Sequence, residues 1–351
     1  MLSRVAESIY WMSRYVERAE NLARFVDVTF NLILDQPNMA ASQWEPLVFI
    51  SGDQEYFAKE YGKATQESVI QFLVFDSKYH SSIISCLSHA RENARTVREA
   101  ISSEAWEQIN TFYHCVREAA ETGNSTQTAP EFFDSVREQS QLFNGILDAT
   151  LSHASGWHFA NLGRLLERAD KTSRILDVKY YTLLPRVNDV GTTLDDLQWS
   201  SVLRSVSGFE TYRKQFHTIT VHRVVEFLVL DRDFPRAVQF CVDRADDSLH
   251  AISGTPLNTY RNPAEQRLGR LKAELAYSDV QSIVNLGLHE FIDDLQTKLN
   301  DVAAAIQETF FAIRPIASSP PAGSPAASGP VQTNSPTVSS VEFQTQRQSQ
   351  T

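Results

Sequence analysis

Residues 14 to 28, RYVERAENLARFVDV, align without gaps on residues 164 to 178, RLLERADKTSRILDV, with seven of fifteen positions identical. Ordinary residue usage would give about one identity in a window of that length. Further along, FLVFD at 72–76 matches FLVLD at 227–231, and Trp44, Cys86 and Ala90 match Trp199, Cys241 and Ala245. The offset is 150 residues between positions 14 and 164 and 155 between positions 72 and 227, so the order is kept across a small insertion. The pattern predicts a tandem duplication of a unit about 150 residues long, whose two copies pack closely against each other.

Both copies read as helices. Leu2, Val5, Ile9, Met12, Val16, Ala19, Ala23 and Val26 step by three or four residues, which lines one side of a long helix reaching the thirties. Pro37-Asn38, Ser51-Gly52 and Gly62 mark turns around a short helix led by Asp53. Helices are expected over 82–101, from a Ser102-Ser103 cap to Thr122, and from Pro130 onward. The second copy repeats the plan: a helix over 157–181, short helices around Trp199 and Tyr212, then 221–230 and 235–253. After Ser253 the copies diverge, with helices over 263–277 and 278–313. No period-two strand with hairpin turns is visible, so the expected fold class is an all-α helical bundle. The expected division is a first unit at 1–154, a second at 155–313, and a Pro/Ser/Ala/Gln-rich tail at 314–351 that has little to bury and reads as disordered.

A formal charge of -11 argues against phosphate-backbone binding, so no nucleic-acid partner is expected. The row His89, Arg91, Arg95 and Arg98 is interleaved with Glu92 and Glu99 and reads as a solvated helix face. Three cysteines without CxxC spacing fit neither a disulfide framework nor a zinc site and point to a reducing cytoplasm. Cys86 and Cys241 sit in apolar surroundings and read as small core residues. The charged N-terminal segment lacks the apolar stretch of a secretion signal, and the apolar runs at 72–75 and 224–230 are too short to span a bilayer, so no membrane association is expected.

The repeated helix carries a charge stripe. Arg14, Glu17, Asn21 and Arg24 are spaced 3, 4, 3 and stack along one side, with Arg18 beside them; Arg164, Glu167, Lys171 and Arg174 repeat the row, with Arg168 beside them. Because Tyr15, Leu22 and Phe25 extend the apolar face, the charged row is expected to be at least partly buried. Two readings stand. These residues either form structural ion pairs that hold the bundle in register, or make an anion site in which guanidinium forks grip a carboxylate. Asp76 and Asp231, which end the two FLV segments, read first as helix caps and second as site residues.

No catalytic signature stands out. There is no Walker loop, GxGxxG, GxSxG or HExxH, and no Glu-x-x-His pair of the kind a di-iron bundle needs. The lone His222–Glu226 spacing has Glu67 and Gln71 as its repeat mates, so no metal and no cofactor are expected.

The strings MLSRVAESIYWMSRYVERAENLAR, GRLLERADKTSRILDVKYY and SCLSHARENARTVREAISSEAWEQIN together resemble the bacterial Alpha-E family, over essentially residues 1 to 313. Its Glu-Arg motif carries over onto Glu17-Arg18 and Glu167-Arg168. Family genes typically accompany those of a circularly permuted ATP-grasp protein and a transglutaminase-like peptidase. The resemblance therefore implies an accessory subunit of a system that makes and trims a peptide or amide linkage, binding a partner protein or a carboxylate-bearing ligand. The alternative is an enzyme using Glu17 or Glu167 as acid or base. The chain departs from the family at DSKYHSS, 76–82, where prolines usually follow the first FLV segment; the second copy keeps Pro235.

Overall fold

The computed structural model describes residues 1–35, 44–122, 129–182 and 193–312. Among them are fifteen α-helices and no strand. In chain order these are α1 (Ser3–Asp35), α2 (Glu45–Ser51), α3 (Gln54–Glu60), α4 (Gln66–Ile70), α5 (Ile83–Thr96), α6 (Ser103–Thr122), α7 (Ala129–Thr150), α8 (Ser155–Thr182), α9 (Thr193–Ser205), α10 (Phe209–Gln215), α11 (Val221–Val225), α12 (Val238–Ser253), α13 (Pro263–Ala276), α14 (Val280–Leu286) and α15 (Leu288–Ile306). Helices α4, α11 and α15 each run into a wider π-helical turn, at Gln71–Phe75, Glu226–Leu230 and Gln307–Phe311.

At the centre α1 lies against α8. Both are buried on more than one side: Ile9, Met12, Val16, Ala19, Ala23 and Val26 are fully enclosed, and Tyr10, Leu22 and Phe25 are buried as well. A helix apolar around most of its circumference belongs inside a bundle rather than on its surface. Around this pair the packing runs twice in the same order. Helix α1 packs on α5 and α7, α5 on α6, and α6 on α7; α8 packs on α12 and α15, α12 on α13, and α13 on α15. The short helices cross over, with α2 resting on α8 and α9 on α1.

Sequence register and structure coincide in detail. Helices α3 and α4 and the first π turn have the bounds of α10 and α11 and the second π turn, shifted by the 155 residues that separate Gln54 from Phe209. The N-caps correspond too: Thr65 accepts from the Ser68 N–H and Thr220 from the Arg223 N–H. Such caps satisfy backbone donors that the helix itself leaves unpaired. Phe72 stacks on Tyr79 with ring centroids 4.2 Å apart, and Phe227 on Phe234 at 4.4 Å.

Some boundaries differ from the sequence expectation. Helix α5 ends at Thr96 rather than 101, and α12 starts at Val238, leaving Pro235 in the preceding loop. The single helix expected over 278–313 is broken by Gly287, whose φ of 105° lies in a region L side chains rarely adopt. The turn expected at Pro37-Asn38 and the tail at 314–351 lie outside the described residues.

Candidate functional site

Where α1 crosses α8, Gly163 abuts α1 so closely that a Cβ there would collide with the Tyr10 carbonyl oxygen. This close approach brings the two Glu-Arg dipeptides within reach of each other, and they exchange partners. Arg168 donates from Nε to Glu17 Oε1 and from Nη2 to Glu17 Oε2, both at 2.8 Å. In return Arg18 donates from Nε to Glu167 Oε1 at 2.6 Å and from Nη2 to Oε2 at 3.0 Å. Each is the two-point fork that a planar guanidinium makes with a carboxylate. Glu17 and Glu167 are both fully buried.

The remaining lone pairs are filled differently on the two sides. Glu17 Oε1 also accepts from Arg236 Nη1 at 3.1 Å and from Asn21 Nδ2 at 3.0 Å. Glu167 Oε2 accepts from Arg14 Nε at 2.9 Å, and Lys171 Nζ stands 3.6 Å from Oε1. In register, Lys171 occupies the place of Asn21, and Arg236 that of Ser81. A cation lost beside one glutamate is thus supplied from another direction. Arg164, the mate of Arg14, instead donates to Asn161 Oδ1 at 2.6 Å, and burial followed by the neighbouring Arg168 lowers its pKa.

A second acidic layer lies one turn further along each helix. Glu20 accepts from Arg24 at 2.7 Å and from Ser140 Oγ at 2.7 Å, and also takes Arg236 Nη2. Asp170 pairs with Arg174 and Lys171, both at 3.0 Å. Arg24 donates onward to Ser207 Oγ. Ser207 has a positive φ of 52° and sits at the register position of Gly52.

Electrostatics follow from this crowd of cations. Burial alone would raise the pKa of Glu17, but Arg168 and Arg236 outweigh it and hold the carboxyl well below its usual range. For Glu167 the same penalty is overcome by Arg18, Arg14 and Lys171. Asp170, buried beside Lys171 and Arg174, is lowered to about 2. Glu17 and Glu167 are therefore firmly ionised, enclosed and saturated with donors, whereas a general acid or base needs a proton to give or a lone pair to spare within reach of substrate.

The sequence-predicted residues thus divide. Arg14, Glu17, Arg18, Asn21, Glu167 and Arg168 form the core cluster; Arg24 and Arg174 serve the second layer, and Arg164 stands apart. Asp76 and Asp231 close the two π-helical turns as their C-caps and do not cap the next helices, whose N-caps are Ser82 and Ala237. Asp76 accepts from the Lys78 N–H and from the hydroxyls of Tyr56 and Tyr61. Asp231 accepts from the N–H groups of Asp233 and Phe234. The 3-4-3 stripe leaves out Glu20 and Asp170, although an acid stands three residues after each of the two glutamates. Arg236 lies far from the stripe, and the position 155 residues before it holds Ser81.

Cys86 and Cys241 are fully buried, and burial pushes both thiols up to about 12. Among the described residues no group of three or more His, Cys, Asp or Glu is arranged to hold a metal ion. Among the same residues no helix is long and apolar enough to cross a membrane.

Two buried, mutually exchanged Glu-Arg pairs at the heart of a helical bundle define the class: an α-helical domain built around an ER motif. A family model described as a predicted alpha-helical domain with a conserved ER motif matches residues 1–311, and the chain belongs to that family, Alpha-E. It is similar to the uncharacterised proteins Mb2597 of Mycobacterium bovis and Rv2567 of Mycobacterium tuberculosis, each 20% identical over 338 residues covering 88% of this chain. The match spans only 37% of the length of those relatives. No solved structure matches.

Proposed function

We propose that this chain is a non-catalytic helical scaffold in an amide-bond-forming system, working beside an ATP-grasp-type ligase and a transglutaminase-like peptidase in the cytoplasm. The observation that carries the scaffold reading is the exchange of partners between Glu17-Arg18 and Glu167-Arg168. A motif whose carboxylates are consumed by each other's arginines acts as a clasp between 1–154 and 155–313 rather than as a site waiting for substrate. The matched bounds, caps and ring stacks support an origin by tandem duplication, in which the clasp descends from a symmetric contact between two copies of one unit. The greater length of the mycobacterial relatives supports a working unit that includes more than this helical region.

The test is reconstitution with an ATP-grasp-type ligase from the same genome. The intact chain is expected to co-purify with the ligase and to show no turnover alone. Glu17→Gln and Glu167→Gln are expected to lose ligase stimulation and thermal stability together. Loss of ligase activity with an unchanged melting temperature would instead make the glutamates chemical participants. Failure to bind or alter the ligase would sink the accessory role.

A further inference from the structure

Phe72 and Tyr79 of the first half, and Phe227 and Phe234 of the second, make the same ring stack, yet what surrounds the two stacks differs. In the first half the Tyr56 ring lies over both Phe72 and Tyr79, at 6.0 Å and 5.7 Å. The hydroxyls of Tyr56 and Tyr61 close off Asp76 Oδ2 at 3.2 Å and 2.9 Å, and the Tyr79 hydroxyl donates to Asp53 at 2.7 Å. In the same register the second half has Thr211 for Tyr56, Phe216 for Tyr61, Phe234 for Tyr79 and Gly208 for Asp53. One covering ring, three hydroxyls and one carboxylate are gone.

A cleft of about 480 Å³ lies there, lined by Arg168, Arg236, Asp231, Phe227, Phe234 and Thr211 among others. The recess of the first half that includes Arg18, Ser81 and Asp53 measures about 190 Å³. Gly208 helps to shape the open cleft, because a Cβ there would come within 2.9 Å of the Phe234 ring and 3.0 Å of Phe227. The volume falls within the range of roughly 300–1,000 Å³ typical of small-molecule sites.

The polar lining is not self-sufficient. Asp231 uses Oδ1 for two backbone N–H groups at 2.8 Å and 2.7 Å, while its Oδ2, which has no tyrosine hydroxyls to receive, has no hydrogen-bond partner among the described residues. At the other side Arg168 and Arg236 line the cleft, and with Arg24, which stands behind them and reaches the wall through Ser207, they set three cations against the two carboxylates Glu17 and Glu20, a surplus of cation. Its effect shows on Arg24, where burial and then the neighbouring Arg236 lower the guanidinium to about 10.

We propose that this cleft binds a small zwitterion of the amino-acid or short-peptide class, with its carboxylate towards Arg168 and Arg236, its ammonium on Asp231 Oδ2, and an apolar part against Phe227 and Phe234. Opposite charges at the two sides select a ligand carrying both, and the stacked rings favour an aromatic or aliphatic body between them. The proposal stands independently of any ligase, and its test uses the full chain alone.

Calorimetric titration with the dipeptide Ala-Phe, its N-acetyl form and its C-terminal amide reads the three contacts. Saturable binding of Ala-Phe is expected, weakened by about tenfold or more when either end is capped and by a similar factor in Asp231→Asn, as loss of one charge-assisted contact implies. Thr211→Tyr, which restores the ring found in the first half, is expected to abolish binding while leaving the melting temperature unchanged. If Thr211→Tyr does not fold, Asp231→Asn decides alone. No binding of Ala-Phe up to about 10 mM, or binding indifferent to both substitutions and to capping, would overturn the proposal. So would inorganic phosphate binding where the dipeptide does not, which would make the cleft a plain anion site.

Discussion

Glu17 receives both Nε and Nη2 of Arg168, 151 residues further along the chain, at 2.8 Å each. Removing one member of such a buried pair strands the other as an unpaired charge, at a cost of roughly 3–5 kcal/mol. Glu17→Leu and Arg168→Leu are each expected to destabilise the protein by that order. The double variant should cost clearly less than the sum, because two apolar side chains no longer bury a stranded charge. Urea unfolding of the four species measures the coupling, and strict additivity would count against the clasp.

The crossing of α1 and α8 makes a separate prediction. Gly163→Ala adds only a methyl group, but that methyl meets backbone, the Tyr10 carbonyl, which cannot swing aside as a side chain would. The helices must part, and overpacking of this kind costs about 1–3 kcal/mol. Gly269, in α13, has nothing near its Cβ position, so Gly269→Ala should be neutral to stabilising by the usual helix preference, up to about 1 kcal/mol. Melting temperatures that rank these two variants in the opposite order would refute this account of the crossing.

Much of this arrangement is legible in the sequence because it is local. The apolar period of α1, the cap at Ser102 that opens α6, and the spacing that puts Glu17 and Arg14 on one side of a helix are all properties of short windows. The partner exchange is not local. Nothing within residues 14 to 28 says that Glu17 will bind Arg168 rather than Arg14, since intrahelical pairing three residues apart is equally available. What decides it is the depth of the crossing at Gly163. Arg236 is hidden for a related reason: it reaches Glu17 across 219 positions, and the position 155 residues before it holds Ser81 rather than a cation. The break at Gly287 was missed because glycine within an apolar period is often tolerated, and only its positive φ shows that this one ends a helix.

Thiol chemistry offers a test of the packing that needs no mutation. Cys86 and Cys241 are enclosed at matching places and their thiols are pushed up to about 12, so neither supplies thiolate at neutral pH. Cys115 is partly exposed. A chromogenic disulfide reagent at pH 8 should therefore titrate one of the three cysteines in the native protein and all three in denaturant. Rapid reaction of two or three native thiols would mean that the surroundings of the Glu-Arg cluster are open to reagent.

The acid response follows from the direction of the carboxylate shifts. Glu17 and Glu167 lie below their ordinary 4.5 and Asp170 falls from 3.8 to about 2, in each case because neighbouring cations override burial. A carboxyl with a depressed folded pKa binds its proton more weakly in the folded state than in the unfolded chain. Its stabilising contribution is therefore complete above the unfolded value and is lost as pH falls through it towards the folded one. Unfolding free energy should be nearly level from pH 8 to about 5.5 as far as these three groups are concerned and decline steeply below about 4.5. In Glu167→Gln one titrating group is gone, so the stability gap between wild type and variant should be constant above pH 5.5 and shrink as the pH drops below 4.5. Urea unfolding at a series of pH values measures that gap directly. A gap that widened on acidification would require Glu167 to bind its proton more tightly in the folded protein, which its enclosure by Arg14, Arg18 and Lys171 forbids.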